Sequence, residues 1–469
     1  LKTVHAQGTA PIRTLLLQYS LPAIAGFLVN ALYQLVDRIL VGRGIGTEAM
    51  AAVTCAFPIT ILTMGIGLLL GTGTGNQIST FLGQGRKDEA EAVLGQSVRL
   101  ALVLGIGVAA VLVAFASPIL RASGATGSVL EMAVPYLRIT ALGQVPLILI
   151  ISMGNILRVQ GRPGLGLLFM TGGNVLNAIL AAVAIFVLHW GIPGAALATT
   201  LAISLNFVLL LWFVQGPTSV LRIRRCHLGS DKALAYSILK LGAPVFAMQV
   251  LGTAVFLSAN HGALLLDGPR GVALIGVFNT ISMLLVYPPL GVVQAMQPLV
   301  AYNRGAGRPD RVRKLLFASL LATTAMGVVS GLAGAAMPGF VASWFTRTDA
   351  QLVELAREGL PWMTISVALF GVQGTASHYF LSIHRPGKAA LLLLGRQIFA
   401  IPLFLILPVL WGFTGLYLVT AISDVPFAIL AAVFLRREWK VLASAGPTVA
   451  DDDEADEGGT LASPEPDPA

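Results

Sequence analysis

A chain of 469 residues that is 56% hydrophobic and only 11% charged, with a mean hydropathy of +0.81, is excluded from the ordinary soluble class, where about a quarter of residues carry charge. Its net charge of +8 reads as a signature of membrane topology rather than a nucleic-acid footprint, because the basic residues fall between long apolar runs. Cys55 inside such a run and Cys226 in a basic linker make neither a disulfide framework nor a metal site.

Apolar stretches of about 20 or more residues, each able to cross roughly 30 Å of hydrocarbon as a helix, recur along the chain. Twelve spans are predicted, at 14–41, 49–82, 92–116, 129–157, 164–188, 191–215, 236–266, 272–303, 312–336, 359–384, 388–411 and 412–435. Unpaired backbone groups are intolerable in lipid, so the spans are helices or a closed barrel, and the alternation of barrel strands is absent. The first run is span-length and continues to Val41 without a small-residue cleavage site, so no cleavable leader is expected.

The two halves echo each other. Pro22 returns as Pro244, Gly83-Gln84-Gly85-Arg86 as Gly305-Ala306-Gly307-Arg308, Arg162-Pro163-Gly164 as Arg385-Pro386-Gly387, and WGIPG at Trp190 as WGFTG at Trp411, at offsets of 221 to 223. The predicted organisation is therefore an N-terminal segment 1–13, a six-helix lobe 14–216, a basic linker 217–235, a second six-helix lobe 236–437 and an acidic, unfolded tail 438–469. An even number of spans per half gives both halves the same orientation, with the symmetry axis along the membrane normal.

Charge sets the direction. With both termini cytoplasmic, 22 of the 30 basic residues lie inside, against six outside, with Arg138 and Arg396 within spans. That asymmetry satisfies the positive-inside rule and predicts a multi-pass protein of the cytoplasmic (inner) membrane. The linker could also meet anionic headgroups, though orientation alone explains its charge.

Loops of at most about 20 residues confine function to the spans. The chain holds no GxxxxGK[ST], HExxH or GxSxG motif and no His and Cys cluster, so neither ATP hydrolysis nor familiar hydrolytic chemistry has a seat. A secondary transporter or flippase remains, and duplicated halves suit alternating access.

Polar residues within the spans are then the candidates. Asn30, Tyr33, Gln34 and Asp37 fall at helical offsets 0, 3, 4 and 7 and share a face. A carboxylate there costs up to about 3 kcal/mol against lipid, which favours an inward, water-lined position; the plainer alternative is an ion pair with Arg38 or Arg43. Asp424 shares a face with Tyr417 and Thr420 in the last span, and its alternative is a satisfied carboxyl partnered by Arg396. Asn174 and Asn177 share a face of the fifth span, Thr199 and Thr200 lie in the sixth, Gln249 and Asn260 in the seventh, and Gln373 and His378 in the tenth. Each of these is either a cavity group or interhelical glue.

Across 12–437 the chain resembles the multidrug and toxic compound extrusion (MATE) transporters. The resemblance is carried by YQLVDRILVGRGIG at Tyr33, FLGQGRKDEAEA at Phe81, RVQGRPG at Arg158, the Asn177 to Ala202 segment, QPLVAYNRGAGRPDRVRK at Gln297 and GLYLVTAISDVPF at Gly415. The second-half motif and the final-span Asp look most like the bacterial MepA-type and DinF-type branch. The resemblance implies an all-α integral membrane protein, twelve transmembrane helices in two pseudo-symmetric six-helix bundles set as a V. It implies export of organic, often cationic and hydrophobic compounds in exchange for H⁺ or Na⁺, with no cofactor and no enzymatic step, by a protein functional as a monomer.

The family's cation site maps onto Asp37, Asn177 and Thr199, but Ala181 stands where its fifth-span Asp is usual. Na⁺ prefers several oxygen ligands, whereas a proton needs only one carboxyl, so the departure favours H⁺ over Na⁺. Asp424, Tyr33, Gln34, Asn174, Gln249, Asn260 and Gln373 are secondary cavity candidates. The alternatives are a lipid-linked oligosaccharide or lipid flippase, which would want a strongly cationic cavity, and a passive channel or receptor-like protein.

Overall fold

The structure is a computed structural model that describes residues 2–217, 219–229, 231–336 and 350–444. Within them every regular element is helical: α1 (Lys2–Thr9), α2 (Ile12–Gly44), α3 (Thr47–Gly83), α4 (Lys87–Ala114), α5 (Ala116–Ala122), α6 (Gly127–Ala141), α7 (Gln144–Val159), α8 (Pro163–Ala182), α9 (Gly191–Gln215), α10 (Lys232–Gly305), α11 (Pro309–Ala336), α12 (Ala350–Ser382) and α13 (Pro386–Ser444). Residues 438–444, expected in the unfolded tail, instead continue α13, where buried Glu438 accepts from Arg385 Nη1 (2.6 Å); the rest of the expected acidic tail lies outside the described residues.

Eight of these helices are long and apolar enough to cross a membrane, and the pair α6 and α7, bent by 55°, makes a ninth span. The bend falls at Leu142–Gly143, just before Pro146 in the first turn of α7, where the ring removes a backbone donor. Two helices each hold two spans. α10 is interrupted at Asp267 (φ −149°) and Gly268 (φ 52°), and α13 at Gly412 (φ 58°). α12 supplies the remaining span, its charge-free stretch from Gly359 made less apolar by residues such as Pro361, Gln373 and His378. The result is the twelve-helix, V-shaped arrangement.

The sequence echo reappears as backbone geometry. Left-handed φ values occur at Gly85 and Gly307 (74° and 68°), at Gly161 and His384 (80° and 57°), and at Gly191 and Gly412 (60° and 58°), each pair one repeat apart. A left-handed residue costs a side chain roughly 1–2 kcal/mol, which explains glycine at five of the six turns.

Packing separates two ends of the molecule. At one end, the core around Leu70, Ile78, Leu94 and Ile156 takes in Ile238 and Tyr302 from α10, and Leu15, Leu16 and Tyr19 of α2 pack into the core of α10 to α13. At the other end, one cluster (Val41, Ala49, Leu112, Leu137) comes only from the first six spans, and another (Ala259, Phe278, Phe404, Tyr417) only from the last six. The lobes thus meet at the end bearing α1 and the segment between α9 and α10, and diverge at the opposite end.

The closed end is built from bare backbone. A Cβ on Gly73 would overlap the Ile238 carbonyl, on Gly242 that of Leu69, on Gly83 that of Tyr302 and on Gly305 that of Thr80, so helices α3 and α10 approach at van der Waals distance. Gln77 Nε2 donates to Ser237 Oγ across the seam (2.8 Å). α1 straps it from below: Gln7 Nε2 donates to the Val159 carbonyl (2.6 Å), while Asn303 Nδ2 and Arg308 Nη1 donate to the carbonyls of Gln7 (3.0 Å) and Gly8 (2.7 Å).

A valine at Gly242 cannot be accommodated without parting the lobes here. In a protein whose native cysteines are replaced, Ser237→Cys, half-buried at the seam, should react faster with a membrane-impermeant thiol reagent once Gly242→Val is added, because the joined state of the seam is then the minor one. Equal rates in the two backgrounds would show that backbone contact does not hold this end shut.

Candidate functional site

Three helices converge on the inner face of the first lobe's open half. α2 and α8 run side by side, with Gly26 against Met170 and, where α8 continues past Ala182, Gly44 against Ile185, contacts that bracket Asp37 on one helix and Asn177 on the other. One turn beyond Asp37, Leu40 packs on a cluster of Ala181 and Ala184 from α8 and its continuation, and Ala198 from α9. Thr199 follows Ala198 on α9, about 100° further round that helix.

Asp37 is partly exposed, and among the described residues its carboxylate forms no ion pair or hydrogen bond. A close ion pair with Arg38 is not realised: the Arg38 guanidinium lies over the ring of Phe57 on α3, 5.6 Å from its centroid, and stays within electrostatic reach of Asp37. Tyr33, one turn back, and Tyr136 of α6 lie within electrostatic reach of Asp37. Tyr136 is a neighbour that no helical offset points to, since the only mark it leaves in the sequence is a phenol in an apolar span.

Asn177 is buried, and its Oδ1 has no hydrogen-bond partner; Asn174 Nδ2 is likewise unbonded. Thr199 Oγ1 donates to the Ala195 carbonyl of its own helix (3.1 Å), which leaves its oxygen as an acceptor. Gln34 is partly exposed on the same face of α2 as Asp37. Ala181 is 2% exposed within the alanine cluster, so the place of a second acid is filled by tightly packed methyl groups.

The second lobe is arranged differently. Asp424 is 1% exposed and accepts from Arg396 Nη1 at 2.8 Å, the partnered alternative for this carboxyl. Gln373 is buried and donates to the Leu392 carbonyl (2.9 Å), tying α12 to α13. His378 is buried with Nδ1 against the Gly374 carbonyl (2.9 Å). Gln249 faces α3 across the seam, its Cβ beside Gly65, and Asn260 has a buried, unbonded Oδ1. The structure therefore does not bring Asp424 and Gln373 to the Asp37 junction. It also moves one residue expected in a cytoplasmic loop: Arg158 lies in the last turn of α7 and points between the lobes, at Gln294.

The MatE family model matches residues 22–183 and 244–406, one match in each half. The chain is 25% identical to the multidrug export protein MepA of Staphylococcus aureus (strain MSSA476) over 435 residues, covering 92% of this chain and 95% of that protein. It is 26% identical to MepA of Staphylococcus haemolyticus (strain JCSC1435) over 421 residues, 89% and 91% of the two chains. Among solved structures, the outward-facing conformation of a multidrug resistance MATE family transporter of the MOP superfamily superposes with a TM-score of 0.88 at 23% identity, over 95% of this chain and 99% of that one. A MOP superfamily transporter from Pyrococcus furiosus Vc1, whose binding pocket is described as reversed in polarity, gives 0.87 at 23% identity, over 94% and 99%.

Proposed function

The chain belongs to the MatE family of transporters, and from that premise we propose that it exports organic, cationic and hydrophobic compounds by antiport with H⁺ through alternating access. The observation that carries this reading is the carboxylate of Asp37, without an ion pair or hydrogen bond and within electrostatic reach of Tyr33 and Tyr136; the unbonded Oδ1 of Asn177 on the neighbouring helix supports it. A protonated Asp37 would have an acceptor in Asn177, and a deprotonated one would attract a cation in the cavity.

The apolar packing around Ala181 supports H⁺ over Na⁺, because it leaves one charged ligand where a hard cation prefers several oxygens. In this reading the joined end is cytoplasmic, both termini with it, and the divergent end opens outward. Protonation of Asp37 from outside removes the charge that opposes burial, lets α2 and α8 repack, and releases the substrate as the lobes exchange contacts. One proton for one monovalent cation moves no net charge, so the driving force is the pH gradient, about 1.4 kcal/mol per unit. The protein acts as a monomer of the inner membrane, with no cofactor.

Export of a fluorescent cationic dye from vesicles tests this. A pH gradient imposed alone should drive export and a Na⁺ gradient alone should not. Export driven by Na⁺ alone would assign the coupling to that ion, and export under neither gradient would remove the antiport reading.

A further inference from the structure

One cation within the helices has no role in the coupling site. Arg158 donates from Nη1 to Gln294 Oε1 on α10 (2.9 Å) and from Nη2 to Asn155 Oδ1 one turn back on α7 (2.6 Å). Both acceptors are neutral, and among the described residues no carboxylate pairs with this guanidinium. It lines a small pocket at the seam between the lobes, together with Gly71, Gly75 and Asn76 of α3 and Gln294 and Gln297 of α10. Asn76 is 2% exposed, and its Nδ2 has no hydrogen-bond partner.

Interlobe glue alone accounts for the bonds to Gln294 and Asn155. It leaves unexplained three unused guanidinium donors, an unsatisfied buried carboxamide N–H₂ and the pocket between them. The Asn76 N–H₂ is a buried donor without a partner and the half-buried guanidinium is a positive charge without a counter-charge, and a single acceptor of negative charge relieves both.

We propose that this pocket is a site for a small monovalent anion, a halide or a simple carboxylate, held between the guanidinium of Arg158 and the carboxamide of Asn76. Arg158 and Asn76 belong to the first lobe, while Gln294, which orients the guanidinium, belongs to the second. The anion is therefore bound while the lobes meet at this end, and its concentration stabilises that closure. The site is separate from the coupling carboxylate. Gly291, one turn before Gln294, packs on Ile24 of α2, and Asp37 stands 13 residues further along that helix, so the two lie ~20 Å apart at 1.5 Å rise per residue. The anion site is thus remote from a compact substrate held at Asp37.

The test uses the full chain purified in detergent in sodium gluconate, titrated at constant ionic strength with sodium chloride and, separately, with sodium acetate, while thermal unfolding and binding heat are read. A saturable rise in Tm with chloride identifies a halide site, and with acetate a carboxylate site. The response should vanish in Arg158→Gln and weaken about tenfold in apparent affinity in Asn76→Leu, which loses a hydrogen bond to a charged group. If Arg158→Gln does not fold, the Asn76→Leu comparison carries the test. No saturable response to either anion, or undiminished affinity in the variants, overturns the site.

Discussion

Asp37→Asn should abolish cation-coupled export while leaving a folded, inserted protein. Asparagine has nearly the same shape, and because the Asp37 carboxylate pairs with nothing, no partner charge is left stranded by its removal. The stability change should therefore stay within about 1 kcal/mol. Transport should fall at least about tenfold, since the carboxyl proposed to exchange a proton for a cation is gone. Dye export from vesicles under a pH gradient, with thermal unfolding of the same preparation, reads both quantities. Retained pH-driven export in a normally folded variant would move the coupling site elsewhere. Tyr136→Phe is the informative neighbour, because it removes a phenol beside Asp37 without touching the acid.

The second-lobe acid should behave in the opposite way, as a stability determinant with an asymmetric partner. Asp424 is 1% exposed, whereas the Arg396 side chain is 37% exposed. Arg396→Leu strands a carboxylate in a dry interior and should cost about 3–5 kcal/mol. Asp424→Asn keeps a hydrogen-bond acceptor for an arginine that is itself only partly buried, and should cost only about 1 kcal/mol. Replacing both by leucine should recover most of the larger loss, because neither charge is then left alone. Thermal unfolding of the four proteins measures this, and equal losses for the two single variants would contradict a structural ion pair. Asp424→Asn should also keep its response to a pH gradient, which separates it from Asp37.

Much of the frame was legible because its signals are local. Span-length apolar runs, the repeat of Gly85 at Gly307 and of Gly191 at Gly412, and the glycine that breaks α13 depend on neighbouring residues and backbone sterics. The stripe from Asn30 to Asp37 was visible for the same reason, since offsets along one helix fix a face. What a face meets is a different matter. Helical periodicity says nothing of which helix lies opposite, so Tyr136 beside Asp37, Arg158 reaching Gln294, and Gln373 tied to the Leu392 carbonyl required the packed arrangement. The choice between a free and a paired carboxyl was open for both acids and resolved differently: Arg38 lies over Phe57, while Arg396 turns toward Asp424.

In the proposed antiport, proton and substrate are alternatives at the Asp37 carboxyl. In weakly buffered solution, addition of a cationic dye to the purified, unenergised protein should release protons in step with dye binding, and the release should disappear in Asp37→Asn. Dye binding without proton release, or the same release from Asp37→Asn, would contradict the account.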